Sequence, residues 1–380
     1  MSLSKKIKVV VLADVPAWTI PGLEHLARQG VYATWLEALI PAFKNLSNID
    51  LTWISMSKEA PSNIQHGYWN QTFYVLRRWR KSVSIITGYY SEKRQIKRLV
   101  DEIKPDIIHA WGTEDVFGMA GAYCQAKHKV FTLQGYLGAC LQNTKSPPLL
   151  MRLQARFEKK TIQSFQTLTG ESPVSEEHLR SIHPSAKICT IDYGVSNEFF
   201  NHDWVPSDQP EIIFVGSVTE AKGIRELCDV MKRKHLRHIN LKIVGDGDLV
   251  EELQGVSGPN VEWLGRLDRS ELIKHMACSW VLVAPTYADT GPSVVKEARV
   301  IGLPVITTTA AGASHYIRNA QSGYVIEPMD MEALGTAISE LCRNSETCLR
   351  AGRSGWETAR NQLSAKSTAR DFCELYTSLM

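Results

Sequence analysis

The chain begins without a long hydrophobic run. M-S-L-S-K-K-I-K leads into an apolar stretch of residues 9–13 only, closed by Asp14. That is too short for a secretory core and far too short for a membrane span, so it reads as a first buried strand. The eight cysteines (Cys124, Cys140, Cys189, Cys228, Cys278, Cys342, Cys348 and Cys373) include no C-x-x-C, and none has zinc-ligand spacing with histidine. A zinc module and a disulfide framework are therefore not indicated, and the simplest reading is a reduced, cytoplasmic chain. Charge of one sign is also scarce: 43 Lys and Arg against 40 Asp and Glu leave +3, too little to argue for nucleic acid. There is no internal repeat and no low-complexity segment. A dinucleotide fingerprint is missing too: Asp14-Val15-Pro16 follows the first strand, and Gly245-Asp246-Gly247 lacks the third glycine.

What remains is a globular composition, 44% hydrophobic and 22% charged. A length of 380 residues exceeds one ordinary core and predicts two domains. In the first half, short apolar runs at 8–13, 49–55, 106–110, 129–133 and 167–169 read as strands, and helical spacing at 32–43 reads as a helix. Strands alternating with helices imply a parallel sheet with right-handed crossovers. Ligands of such sheets gather beyond the carboxyl ends of the strands. Those ends carry Asp14, then His109 to Glu114, then Gln134, Gly135 and Tyr136. The polar, proline-flanked segment 202–210 reads as a linker. Strands at 212–215, 241–244, 261–264, 281–284, 305–306 and 323–327 follow, with helices at 249–253, 270–277, 331–341 and a tail at 356–379. The expected domains are 1–205, completed by the tail 356–380, and 206–355.

The most informative stretch is 281–306: strand, loop 285–292, helix, strand. Ser293 reads as the N-cap, and Gly302 and Pro304 end the helix. A helix start facing a loop offers unpaired N–H groups and a positive dipole end to an anion. Asp289 and Glu297 bracket it, and carboxylates suit sugar hydroxyls because they accept several hydrogen bonds. A phosphate on the amides with sugars on the two acids describes a nucleotide sugar.

Asp289, seven residues, Glu297, Ala298 and then Gly302-Leu303-Pro304-Val305 resembles the E-x7-E signature of family-4 retaining glycosyltransferases with the GT-B fold. Asp stands where the family has Glu, and Thr290-Gly291-Pro292 replaces its Gly-Phe-Gly. Gly216-Ser217-Val218-Thr219-Glu220-Ala221-Lys222-Gly223 is similar to the family's G-R-L-x-x-x-K-G, with Ser217 in place of Arg. Asp106-Ile107-Ile108-His109 looks like its D-V-V-H strand, with Trp111 where a second His often stands. Thr132-Leu133-Gln134-Gly135 looks like its T-x-H-G, with Gln for His. Residues 191–200 resemble the segment that closes the family's first domain.

The resemblance implies an α/β, GT-B architecture: two Rossmann-like doubly wound parallel-sheet domains facing a central cleft, with a C-terminal helix crossing back. It implies an enzyme that moves a sugar from a nucleoside-diphosphate sugar to a carbohydrate or lipid-linked acceptor hydroxyl, with retention, in polysaccharide, lipopolysaccharide or glycolipid synthesis. No cofactor and no metal are implied. The donor site would comprise Gly216, Ser217, Lys222, Gly265, Arg266, Asp289, Thr290, Gly291, Pro292, Ser293, Val294 and Glu297. Lys222 would neutralise the diphosphate. Arg266 is the candidate to replace the missing arginine. On the acceptor side stand Trp111, Gln134 and Gly135. His109, Asp14 and Glu114 are candidate catalytic groups, each with a packing or helix-capping alternative.

Other readings stay open. Asp246-x-Asp248 is the string by which metal-dependent GT-A transferases hold a cation, and equally common turn chemistry. A non-catalytic binder of nucleotide sugars is a third reading. Residues 66–100 interleave aromatics with Arg77, Arg78, Arg80 and Lys81; this is either a solvated helix face or a peripheral contact with anionic membrane. No nucleic-acid recognition motif accompanies these charges.

Overall fold

The computed structural model describes residues 6–26, 34–78, 81–135, 137–142, 147–287, 289–317 and 321–380. The chain divides into an N-terminal unit, Met1–Ser196 with Ala365–Met380, and a C-terminal unit, Asn197–Ser364. These boundaries differ from the expected ones near 205 and 356, for a physical reason at each end. Val205 N–H donates to the Ala277 carbonyl at 2.9 Å, and the Trp204 indole donates to Ser279, so this stretch belongs to the C-terminal unit. The tail is two helices, not one. Trp356–Gln362 stays on the C-terminal unit, its Trp356 indole donating to the Val300 carbonyl at 2.9 Å. Only Ala365–Ser378 joins the N-terminal unit.

The N-terminal sheet has eight strands: β1 (Ile7–Leu12), β2 (Ile49–Ser57), β3 (Ile64–Tyr68), β4 (Gln71–Arg77), β5 (Ile107–Trp111), β6 (His128–Thr132), β7 (Thr167–Gly170) and β8 (Lys187–Thr190). Their order is β3-β4-β2-β1-β5-β6-β7-β8, parallel except for the β3–β4 hairpin. Alternation explains the layering. Val9 and Val11 face one core with Ile107, Trp111 and Val130, while Val10 and Leu12 face a second core with Ile108, Ala110 and Phe131. A central parallel strand buried on both faces needs such an unbroken apolar run. The Ala365–Ser378 helix adds Ala369, Phe372, Leu375 and Tyr376 to the first core. Their helical spacing forms one stripe, and each large side chain contributes about 1.5–3 kcal/mol of burial.

The stretch rich in basic and aromatic residues corrects the helical reading at its start. Residues 64–77 form the edge hairpin, turned by Trp69 and Asn70 at φ 51° and 59°. Arg78 is not a surface cation: its guanidinium forms a two-pronged bond to Asp115, one arm at 2.6 Å, with side chains only 9% and 14% exposed. Arg77 remains exposed. Arg80, the Lys81 side chain and Tyr136 lie outside the described residues. Among the described residues, no helix is long and apolar enough to cross a membrane.

The C-terminal sheet has six parallel strands: β9 (Glu211–Val215), β10 (Asn240–Val244), β11 (Val261–Gly265), β12 (Val281–Ala284), β13 (Val305–Thr308) and β14 (Gly323–Ile326). Their order is β11-β10-β9-β12-β13-β14. The chain thus winds outward from β9 to β11, then returns to place β12 on the other side of β9. The reversal point lies between β9 and β12, where open α/β sheets make their ligand crevice.

Candidate donor site and acceptor-side edge

The loops after β9 and β12 meet at that reversal point. Tyr287 N–H donates to the Ala221 carbonyl at 2.9 Å, and the Thr286 hydroxyl donates to the same oxygen at 3.1 Å. Gly223, at φ +66°, permits the approach: a Cβ there would lie 2.1 Å from the Pro285 carbonyl oxygen. Thus zipped, the loops bring Lys222 and Asp289 together. Lys222 Nζ donates to Asp289 Oδ2 at 2.5 Å, with side chains 30% and 18% exposed. Asp289 Oδ1 accepts from Gly291 N–H at 3.1 Å. Its backbone is pinned to the loop after β13, Gly312 N–H donating to the Asp289 carbonyl at 2.8 Å.

The Ser293–Ile301 helix starts beside this pair. Ser293 is its first residue rather than its cap. Pro292 occupies the cap position, and among the described residues no side chain caps the helix. Val295 N–H bonds the Pro292 carbonyl at 3.0 Å, which leaves the Ser293 and Val294 N–H groups to water or a ligand. Thr290, Gly291 and Pro292 are buried, while Ser293 and Val294 are partly open. Glu297 lies one turn in. Burial pushes its carboxyl up to about 7, with Arg269 and Lys296 pulling the other way. Arg269, which the sequence reading passed over, starts the helix after β11 and also pairs with Glu198 at 3.6 Å. Its signal was local: Asp268 caps that helix by accepting from Glu271 N–H, which fixes where the next side chain begins.

Arg266, the proposed substitute cation, is exposed and pairs with Asp246 at 3.5 Å. Gly265 precedes it at φ +66°. Asp246 also accepts from Gly247 N–H at 2.8 Å. The two glycines of that turn pack on the backbone of 216–218, where side chains would collide with Gly216 and Val218 carbonyls. Close packing thus accounts for the Gly-Asp-Gly string. Gly216 closes β9 beside it, and Ser217 is exposed.

At the N-terminal unit's strand ends, two expectations are corrected. His109 is fully buried, its Nδ1 bonded to the Tyr376 hydroxyl at 2.6 Å and its Nε2 to the Thr132 hydroxyl at 2.5 Å. Burial holds its pKa down to about 3. Both nitrogens are committed, so it is a packing residue and not an acid–base group. Trp111 is buried as well, stacked on Trp35 at 4.4 Å and against Tyr193 and Phe372; it belongs to the core and not to an acceptor surface.

Glu114, by contrast, stands partly open beside Gln134 and Gly135. Among the described residues, its Oε2 is buried without a hydrogen-bond partner. The carboxylate fits because Gly112 and Gly135 lack side chains; Cβ atoms there would lie 2.3 and 2.6 Å from its oxygens. Burial raises its pKa to about 7, and the Glu158 and Asp115 carboxylates add to this. Glu158 itself is satisfied, accepting from Thr113 and from Leu137 and Gly138 N–H groups. Asp14, at the end of β1, helps hold the charge of Arg78, whose pKa burial lowers and Asp115 raises further.

Residues 196–357 match the family described as Glycosyl transferases group 1. The chain is 26% identical to the capsular polysaccharide biosynthesis glycosyltransferase CapM of Staphylococcus aureus over 181 residues, 46% of this chain and 47% of that protein. It is 26% identical to the lipopolysaccharide core biosynthesis glycosyltransferase LpsE of Rhizobium meliloti (strain 1021) over 300 residues, 75% of this chain and 79% of LpsE. The match thus spans less than half the length of CapM. Sucrose-phosphate synthase from Thermosynechococcus elongatus superposes with a TM-score of 0.80 at 18% identity, over 98% of this chain and 99% of its own. Anabaena HepE, in complex with UDP and glucose, superposes with a TM-score of 0.72 at 15% identity, over 98% and 100%. Two parallel-sheet α/β units, a helical C-terminus and these likenesses lead to one conclusion: the chain has the GT-B fold, and its residues 196–357 are similar to the glycosyl transferases group 1 family.

Proposed function

We infer that the chain is a retaining glycosyltransferase that moves a sugar from a nucleoside-diphosphate sugar to an acceptor hydroxyl. The observation that carries this reading is the convergence of Lys222, Asp289 and an uncapped helix start at the reversal point of the C-terminal sheet. A diphosphate leaving group needs its developing charge stabilised. An ammonium and the Ser293 and Val294 backbone N–H groups supply that without a metal ion. In this reading Glu297 accepts from ribose hydroxyls and Asp289 from donor-sugar hydroxyls. The transition state is oxocarbenium-like, as in other glycosyl transfer. HepE, named as a complex with UDP and glucose, supports a nucleotide-sugar donor. The names of CapM and LpsE support an acceptor in capsular polysaccharide or lipopolysaccharide core synthesis.

The test is calorimetric binding of UDP-glucose and GDP-mannose, followed by release of the nucleoside diphosphate in the presence of lipid-linked or oligosaccharide acceptors. Lys222→Ala should lower transfer about 10²–10³-fold while leaving thermal unfolding nearly unchanged. Full activity in that variant refutes the assignment. Binding without turnover across the panel would make the chain a binder. Loss of activity with a chelator and with Asp246→Ala would favour a metal-dependent transferase.

A further inference from the structure

We propose that Asp289 is a built-in competitor of the diphosphate for Lys222, so that the site favours an intact nucleotide sugar and rejects the free nucleoside diphosphate. The proposal rests on the donor-site reading above. Among the described residues, the Lys222 ammonium bonds to one partner, the Asp289 carboxylate, at 2.5 Å. The other Asp289 oxygen is held by Gly291 N–H, and both flanks of the residue are bonded to the loop after β13. Asp289 therefore cannot follow the ammonium if a ligand draws it away.

A diphosphate that takes Lys222 strips Oδ2 of its donor in a place where Asp289 is only 18% exposed. A carboxylate oxygen left so is costly. It also leaves two negative groups side by side. An intact nucleotide sugar brings hydroxyl donors attached next to the phosphate, and these can replace the ammonium on Oδ2. A free nucleoside diphosphate brings none beyond its terminal phosphate, its ribose hydroxyls lying on the other side of the diphosphate. After transfer the sugar hydroxyls leave with the acceptor, Asp289 reclaims Lys222, and the product diphosphate is expelled. The short aspartate strengthens the effect, since one methylene fewer than glutamate gives the carboxylate less freedom to turn to water.

The experiment is calorimetric titration of the full chain and of Asp289→Asn with UDP, UDP-glucose, GDP and GDP-mannose. Asparagine keeps an oxygen for Gly291 N–H and removes the charge. Free UDP or GDP should bind about tenfold tighter to Asp289→Asn than to the wild type, and the matching nucleotide sugar should gain less or lose affinity. In a Lys222→Met background the same Asp289→Asn change should give no gain. Three results would overturn the proposal: equal or weaker binding of the free diphosphate, an equal gain for the nucleotide sugar, or an equal gain without the lysine. Absence of binding by wild type and variant alike to all four ligands would instead remove the donor-site reading, and this inference with it.

Discussion

Replacing His109 by glutamine separates a packing histidine from a catalytic one. In the native protein the ring is fully buried between the Tyr376 and Thr132 hydroxyls and stays neutral, its pKa held at about 3 against an ordinary 6.5. The unfolded chain takes up a proton at its ordinary pKa and the folded chain does not, so acid favours unfolding. The stability that the neutral ring contributes is complete above pH 6.5 and is lost progressively as the pH falls towards 3. At pH 5 the loss is about 2 kcal/mol, from about 1.4 kcal/mol per pH unit over the interval below 6.5. Glutamine has no such titration. At pH 7 His109→Gln should cost about 1–3 kcal/mol for one or two buried hydrogen bonds. At pH 5 the gap should narrow by about 2 kcal/mol. Carboxyls that titrate in the same range are common to both proteins and cancel in the difference. The assay is native-state hydrogen exchange of β5 and β6 amides, which reports the N-terminal unit alone. Sugar transfer by the variant should keep the pH profile of the wild type. A gap that does not change between pH 7 and 5, or a lost limb in the rate profile, refutes the packing assignment.

Two further substitutions test the same strand-end edge. Glu114 has its folded pKa raised to about 7 from 4.5, so the folded state binds the extra proton; its stabilising effect is present below 4.5 and lost as the pH rises through about 7. Glu114→Gln should therefore match the wild type at pH 4.5 and exceed it in stability above pH 7 by thermal unfolding. If the carboxylate takes the acceptor hydroxyl's proton, transfer by the wild type rises through pH 7 and that limb is absent in Glu114→Gln. Arg78→Gln strands the Asp115 carboxylate and should cost about 3 kcal/mol of stability in urea unfolding. Binding to vesicles containing anionic lipid should not change, because Arg78 does not present its charge to solvent.

Where one residue faces one environment, the sequence was legible. Val281–Ala284 and Met331–Leu341 occupy the spans their apolar patterns mark out. The β3–β4 hairpin was not, because an edge strand with half its side chains in solvent carries no apolar run, and its turn uses Trp69-Asn70 in place of glycine. The tail read as one helix because no glycine or proline interrupts residues 356–379, while the two halves pack on different units. The histidine and tryptophan of β5 looked functional because strand ends usually are. What buries them is a helix more than 250 residues later in the chain, Tyr376 reaching His109 across 267 positions.

The candidate donor site shows the same limit from the other side. Lys222 and Asp289 could each be named from spacing, but their bond could not, since it joins positions 67 apart. Strand order makes that bond: with β12 beside β9, the loops leaving both strands must cross the same small space, and only a residue without a side chain at Gly223 lets them close. Once closed, the lysine ammonium and the Asp289 carboxylate lie within bonding distance of each other. Each residue type can be read one position at a time, whereas the bond between them exists only after folding, and it is on this bond that the proposed choice between anions depends.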